Sequence, residues 1–89
     1  MDGEVLMKEI LFFWGPKCPR CKDARKLIGW HRGIKVTRYD VSTADGLSEA
    51  AFYGMVSTPS IVVANDGVVI AKFDADALPT RERIKELLK

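Results

Sequence analysis

Hydrophobic positions along this chain fall into short blocks, and the period of the pattern changes at each turn signal. Residues 8–14 (KEILFFW) form an apolar run closed by Gly15-Pro16, the pattern of a buried strand entering a loop. From Pro19 the period becomes helical: Cys21, Ala24, Leu27, Ile28 and His31 share one face, with Lys22, Asp23, Arg25 and Lys26 on the others. Pro19 suits a first helical turn, where its missing N–H costs nothing, and Gly33 suits the stop. Residues 34–41 (IKVTRYDV) alternate as a strand does, with Ile34, Val36 and Arg38 opposite Lys35, Thr37 and Tyr39. The polar edge of that strand places it near the sheet margin.

Ser42-Thr43 offers a helix cap, followed by Leu47, Ala50, Ala51 and Tyr53 as an apolar face that Gly54 ends. Residues 61–64 are wholly apolar and rich in β-branched side chains, and Asn65-Asp66-Gly67 is a hairpin turn signal. Val68–Phe73 returns as the second hairpin strand. Thr80 then caps a helix that turns Ile84, Leu87 and Leu88 inward. The order is β-α-β-α-β-β-α. A strand, a crossover helix and a second strand imply a right-handed parallel pair, and the hairpin adds two antiparallel strands. The expected fold is α/β: a four-stranded mixed sheet covered by helices on both faces, a three-layer sandwich.

Composition narrows the setting. Eighty-nine residues, 47% hydrophobic and 29% charged, fit a single globular domain over residues 1–89. A net charge of +2, with basic and acidic residues interleaved, gives no reason to expect nucleic acid. The opening residues carry Asp2, Glu4 and Glu9, and the apolar run from Ile10 to Trp14 is far shorter than an export signal or a spanning helix. The expectation is a cytoplasmic monomer with no membrane partner. In a reducing compartment, paired cysteines are more often catalytic or metal-binding than permanent staples.

Both cysteines lie in the stretch WGPKCPRCK, residues 14–22. With Cys18 at a helix N-cap, Cys21 follows three residues on, where side chains lie about 5–6 Å apart and disulfide geometry is within reach. Cys18 then sits among unpaired backbone N–H groups at the positive end of the helix dipole, with Lys17, Arg20 and Lys22 adding positive charge. Such surroundings favour the thiolate, the attacking species, and identify Cys18 as nucleophile and Cys21 as resolving partner. A staple closing so short a loop would stabilise little. A zinc site needs about four ligands, and only His31 and scattered carboxylates remain to complete one. His31, near a helix end, reads as a packed or capping histidine. No cofactor or metal is required for dithiol exchange.

The sequence resembles the thioredoxin superfamily over nearly its whole length. WGPKCPRCK is similar to the family's active-site run, with Trp14 four residues before the first Cys and a Lys directly after the second. Residues 53–70 (YGMVSTPSIVVANDGVVI) are similar to the family's approach to its cis-proline and final hairpin. The resemblance implies that Pro59, after Thr58, is a cis-proline facing the cysteines, and that the preceding backbone can pair with an extended substrate strand. Departures accompany the likeness. The first strand leads straight to the cysteines, a compact layout as in glutaredoxins, and the intervening pair Pro19-Arg20 is typical of neither group. Phe12 stands where thioredoxins carry a buried Asp that moves the resolving cysteine's proton. Asp40, ending the second strand, is the candidate substitute relay, against the plainer reading of a strand-end carboxylate. Residues 73–77 (FDADA) lack the glycine pair with which glutaredoxins hold glutathione, and their acidic groups would repel it. Trp14 either shields the site or only packs, and Trp30 reads as helix packing.

These features imply a small protein-disulfide reductase acting on disulfide-containing client proteins. Its reductant would be a flavin- or ferredoxin-linked thioredoxin reductase. Two alternatives stay open: a glutathione-dependent glutaredoxin and, from another class, a metal carrier using the Cys18/Cys21 pair.

Overall fold

A computed structural model describes residues 8–29, 31 and 33–89. Trp30, expected to pack along the first helix, lies outside them. The elements run β1 (Lys8–Trp14), α1 (Cys21–Ile28), β2 (Lys35–Asp40), α2 (Ala44–Phe52), β3 (Ser60–Asn65), β4 (Val68–Phe73) and α3 (Arg81–Leu87). The strands form one mixed sheet in the order β2-β1-β3-β4. β1 pairs parallel with β2 and antiparallel with β3, and β3 pairs antiparallel with β4. The expected α/β sandwich is therefore present.

Two cores explain the continuous apolar runs in β1 and β3. Ile10 and Phe12 of β1, with Ile61 and Val63 of β3, face Cys21, Ala24 and Ile28 of α1 and Ile84 of α3. Leu11, Phe13 and Val62 face the other way, against Ala50 of α2. A central strand buried on both faces has no solvent side on which to place polar residues. β2 is the margin, so it alternates only partly, as its polar edge implied. The hairpin turns on Asp66 and Gly67, both at positive φ (54° and 86°), the geometry of a two-residue primed turn.

Three expectations need correction. α1 begins later than Pro19: its N-cap is Arg20 and not Cys18. The Cys21 N–H donates to the Cys18 carbonyl at 3.3 Å, a tight three-residue turn that feeds the helix and leaves Cys18 and Pro19 ahead of it. α1 also ends at Ile28, because Gly29 takes up a left-handed φ of 62° and its N–H closes on the Arg25 carbonyl. Gly33 serves the following turn instead. His31 is a cap, its Nε2 at 2.8 Å from the Ile28 carbonyl. On α2, Leu47 and Ala51 were expected inside but are exposed, Leu47 by 59%. Gly46 and Ala50, four residues apart and both small, are the buried residues of the helix. Leu47 and Ala51 lie one position further round and are rolled outward.

Candidate functional site

The sheet order brings the C-terminal end of β1 and the N-terminal end of β3 together, and the candidate site collects there. β1 is in the middle of the sheet, so the loop Gly15–Arg20 leaves from a buried strand and starts α1 at a fixed height. Cys18 and Cys21 are joined as a disulfide with their Cα atoms 5.4 Å apart. Their surroundings differ. Cys21, the first residue of α1, is only 4% exposed and belongs to the core, whereas Cys18 is half-buried at its edge. An incoming group therefore meets Cys18 first.

The start of α1 is electrostatically open. Arg20 supplies no side-chain oxygen to cap it, so the first-turn N–H groups have no side-chain acceptor. Lys17 and Lys22 are exposed on either side. Unsatisfied donors, the helix dipole and nearby cations all favour an anion beside the turn that carries Cys18.

The Thr58–Pro59 peptide bond is cis, and Pro59 is buried. Ser60 pairs with Phe13, so the Thr58-Pro59 step abuts Trp14 and Gly15 at the same end of the sheet as the disulfide. Gly15 packs there at ordinary contact distance: a Cβ at that position would lie 3.9 Å from the Thr58 hydroxyl and 3.8 Å from Val41.

Arg20 does more than the sequence suggested. Its Nη2 donates to the Ala75 carbonyl at 2.8 Å, fifty-five residues away, and the Ala75 N–H is 3.3 Å from Ser57 Oγ. The Ser60 hydroxyl in turn bonds the Ser57 carbonyl. The loop between the cysteines, the loop after β4 and the approach to Pro59 are thus tied by one chain of hydrogen bonds. No local spacing signals this, because each link joins a side chain to a backbone group and Arg20, Ser57 and Ala75 are brought together only by the fold.

Asp40 stands beside Trp14 in the strand register. Its Oδ1 accepts from the Ser42 N–H (2.9 Å) and hydroxyl (2.7 Å). It lines a cleft with Phe12, Trp14, Arg25 and Arg38. An adjoining cleft, sharing Trp14 and Arg25, is lined by Cys18 and Cys21. Trp14, half-buried, lines both clefts where they meet.

No protein-family model matches the chain. A probable thioredoxin of Archaeoglobus fulgidus is 29% identical over 86 residues, which cover 93% of this chain and 89% of that protein. Among solved structures, a thioredoxin-2 described as a component of malaria parasite protein secretion machinery superposes with a TM-score of 0.75. It shares 18% identity, over 96% of this chain and 84% of its own. A mutant thioredoxin from Halobacterium salinarum superposes with a TM-score of 0.72 at 20% identity, over 90% and 70% respectively.

Proposed function

We propose that this chain, with a thioredoxin fold and 29% identity to a probable thioredoxin, is a thioredoxin-superfamily redox protein that reduces protein disulfides by dithiol exchange through Cys18 and Cys21. The observation that carries this reading is the unequal exposure of two bonded cysteines at the open start of a helix. The Cys18 thiolate attacks one sulfur of a client disulfide, and the other client sulfur leaves as a thiolate that takes a proton from water. Cys21 then loses its proton and attacks the Cys18 sulfur, releasing the second client thiolate. Two electrons pass to the client, and the Cys18–Cys21 disulfide is left. A flavin- or ferredoxin-linked thioredoxin reductase restores the dithiol.

The remaining residues have supporting roles. The open helix start, Lys17 and Lys22 favour the thiolate form of Cys18, the attacking species. Pro19 and Arg20 shape the loop, and Arg20 anchors it to Ala75. Pro59 has no N–H, and the Thr58 backbone is placed to pair with an extended client strand. Trp14 shields the pair from the β2 side. Asp40 relays the Cys21 proton to solvent through water in the cleft it shares with Trp14 and Arg25. The protein acts as a cytoplasmic monomer.

Cys21→Ser tests the assignment. With the resolving thiol gone, clients remain disulfide-bonded to Cys18 and are recovered on non-reducing gels, and Cys18→Ser recovers none. Equal trapping by both variants would overturn the assignment of the nucleophile.

A further inference from the structure

We propose that a basic groove running from the disulfide along α1 to β2 selects clients whose cysteine is flanked by acidic residues. This rests on the reductase reading above and names its substrate class. The groove is the pair of joined clefts, each about 380 Å³, that share Trp14 and Arg25. Lys22, Arg25 and Lys26 line it from α1 and Arg38 from β2. All four are exposed. Asp40 is the one carboxylate in the lining, and its Oδ1 is occupied by two hydrogen bonds from Ser42.

Helix geometry produces this stripe. Lys22, Arg25 and Lys26 are related by three and four positions and share one flank of α1; Asp23 is about 100° from Lys22 and, three positions before Lys26, neighbours that lysine alone, leaving Lys22 and Arg25 without an acidic neighbour on the helix. Among the described residues, the ion pair within 4 Å is Arg83–Glu86 on α3, away from the groove. A cation near a helix C-terminus is favourable, which accounts for Arg25 and Lys26 without any ligand. That account fails for Lys22, at the positive end of the helix, and for Arg38, on a neighbouring strand. Like charges at these spacings repel one another and weaken the helix. An incoming carboxylate relieves that repulsion.

Continuity with the disulfide identifies the occupant. One cleft is lined by both cysteines, so a ligand filling the groove lies against the reacting sulfurs, as a client segment does and a nucleic acid has no reason to. Arg25 is one helical turn, about 6 Å, beyond Cys21. An extended client advances about 3.3 Å per residue, so its acidic groups belong roughly two to four residues from the attacked cysteine.

The test uses three synthetic peptides, each with one intramolecular disulfide, carrying Glu, Gln or Lys at those positions. The rate at which the reduced protein is oxidised by each is followed at low and high salt. The Glu peptide is expected to react about threefold to tenfold faster than the Gln peptide at low salt, with the advantage vanishing near 1 M salt. In Arg25→Gln/Arg38→Gln the Glu:Gln ratio falls toward one, and in Arg38→Glu the Lys peptide gains on the Glu peptide. Ratios within one variant cancel any general loss of reactivity. Equal Glu and Gln rates in the parent protein, or a Glu preference that survives the double substitution, overturn the inference alone. A dithiol that reduces none of the three peptides refutes the reductase reading and this inference with it.

Discussion

Replacing Gly46 by alanine tests how α2 is seated, and through it how Asp40 is held. In an exposed helix the change would stabilise the fold, because alanine is favoured over glycine by about 1 kcal/mol. Here the first turn of α2 presses on the end of β2. A methyl group at Gly46 would be 2.5 Å from the Asp40 carbonyl carbon, with the carbonyl oxygen nearer still and the Asp40 nitrogen at 3.1 Å. The obstacle is backbone, so no rotamer change relieves it. That carbonyl also accepts from the Thr43 N–H (3.1 Å) and hydroxyl (2.7 Å), so moving it undoes the helix cap as well. Overpacking against a fixed group costs about 1–3 kcal/mol, and the upper end applies. After subtracting the propensity gain, Gly46→Ala should lose about 2 kcal/mol. For a domain of this size the Tm falls by roughly 8–16 °C. Thermal unfolding of the oxidised protein by circular dichroism measures it, with Ala51→Gly on the exposed side of α2 as control. The control carries only the propensity loss, about 4–8 °C. A Gly46→Ala protein as stable as the parent would refute the close approach of α2 to β2.

Further expectations concern the cap, the loop tie, the proposed relay and the tyrosines. Thr43→Ala removes the hydroxyl that accepts from the Gly46 N–H at 3.0 Å, and should cost about 1 kcal/mol by denaturant unfolding. Arg20→Ala frees the Ala75 carbonyl, so hydrogen exchange at the Ala77 amide, bonded to Asp74 in the same loop, should quicken. Asp40→Asn should leave mixed-disulfide formation at Cys18 intact and slow its resolution by about threefold to tenfold, as stopped-flow kinetics would separate. Burial first, and the Glu49 carboxylate second, hold the phenols of Tyr39 and Tyr53 above the usual tyrosine range. Their contribution to stability is therefore complete below about pH 10 and is lost as pH rises through the raised values. Tyrosinate absorbance should rise together with the loss of circular dichroism, and ionisation at the ordinary tyrosine pH in the intact fold would refute this.

Much of the fold was legible because its signals are local. The run KEILFFW marks a strand covered on both faces, Asp66-Gly67 supplies the positive φ of the hairpin, and Thr80 caps α3 through the Arg83 N–H at 3.1 Å. What misled were glycines and caps with competing uses. Gly29 and Gly33 both reach positive φ, and helical periodicity passes Gly29 without a break, so only the folded backbone shows which one ends α1. On α2, apolar identity suggested that Leu47 faces inward, yet closeness of approach governs the contact, and the helix turns Gly46 toward the end of β2 with Ala50 on the same line.

The site divides along the same line. Cys18 and Cys21 are marked by spacing and by chemistry that few other residues supply, whereas Thr58-Pro59 reads alone as an ordinary loop dipeptide and only the resemblance pointed to its cis bond. The three-loop tie through Arg20, Ala75 and Ser57 joins side chains to the Ala75 backbone across fifty-five and eighteen residues, which leaves no trace in composition or period. Arg38 and Arg25 likewise read as ordinary surface charges until parallel pairing sets β2 beside β1 and both arginines beside Trp14. The strand register also bears on proton transfer. Phe12 faces Arg38 and Trp14 faces Asp40, so Phe12, which shares a core with Cys21, and the Asp40 carboxylate are on adjacent strands, two positions apart along the register. A relay from Asp40 must then pass Trp14. Removing the indole with Trp14→Ala, while keeping Asp40, should therefore open the path to water and make resolution insensitive to Asp40→Asn. A full Asp40 effect in the absence of Trp14 would show that the carboxylate acts on Cys21 by a route the indole does not control.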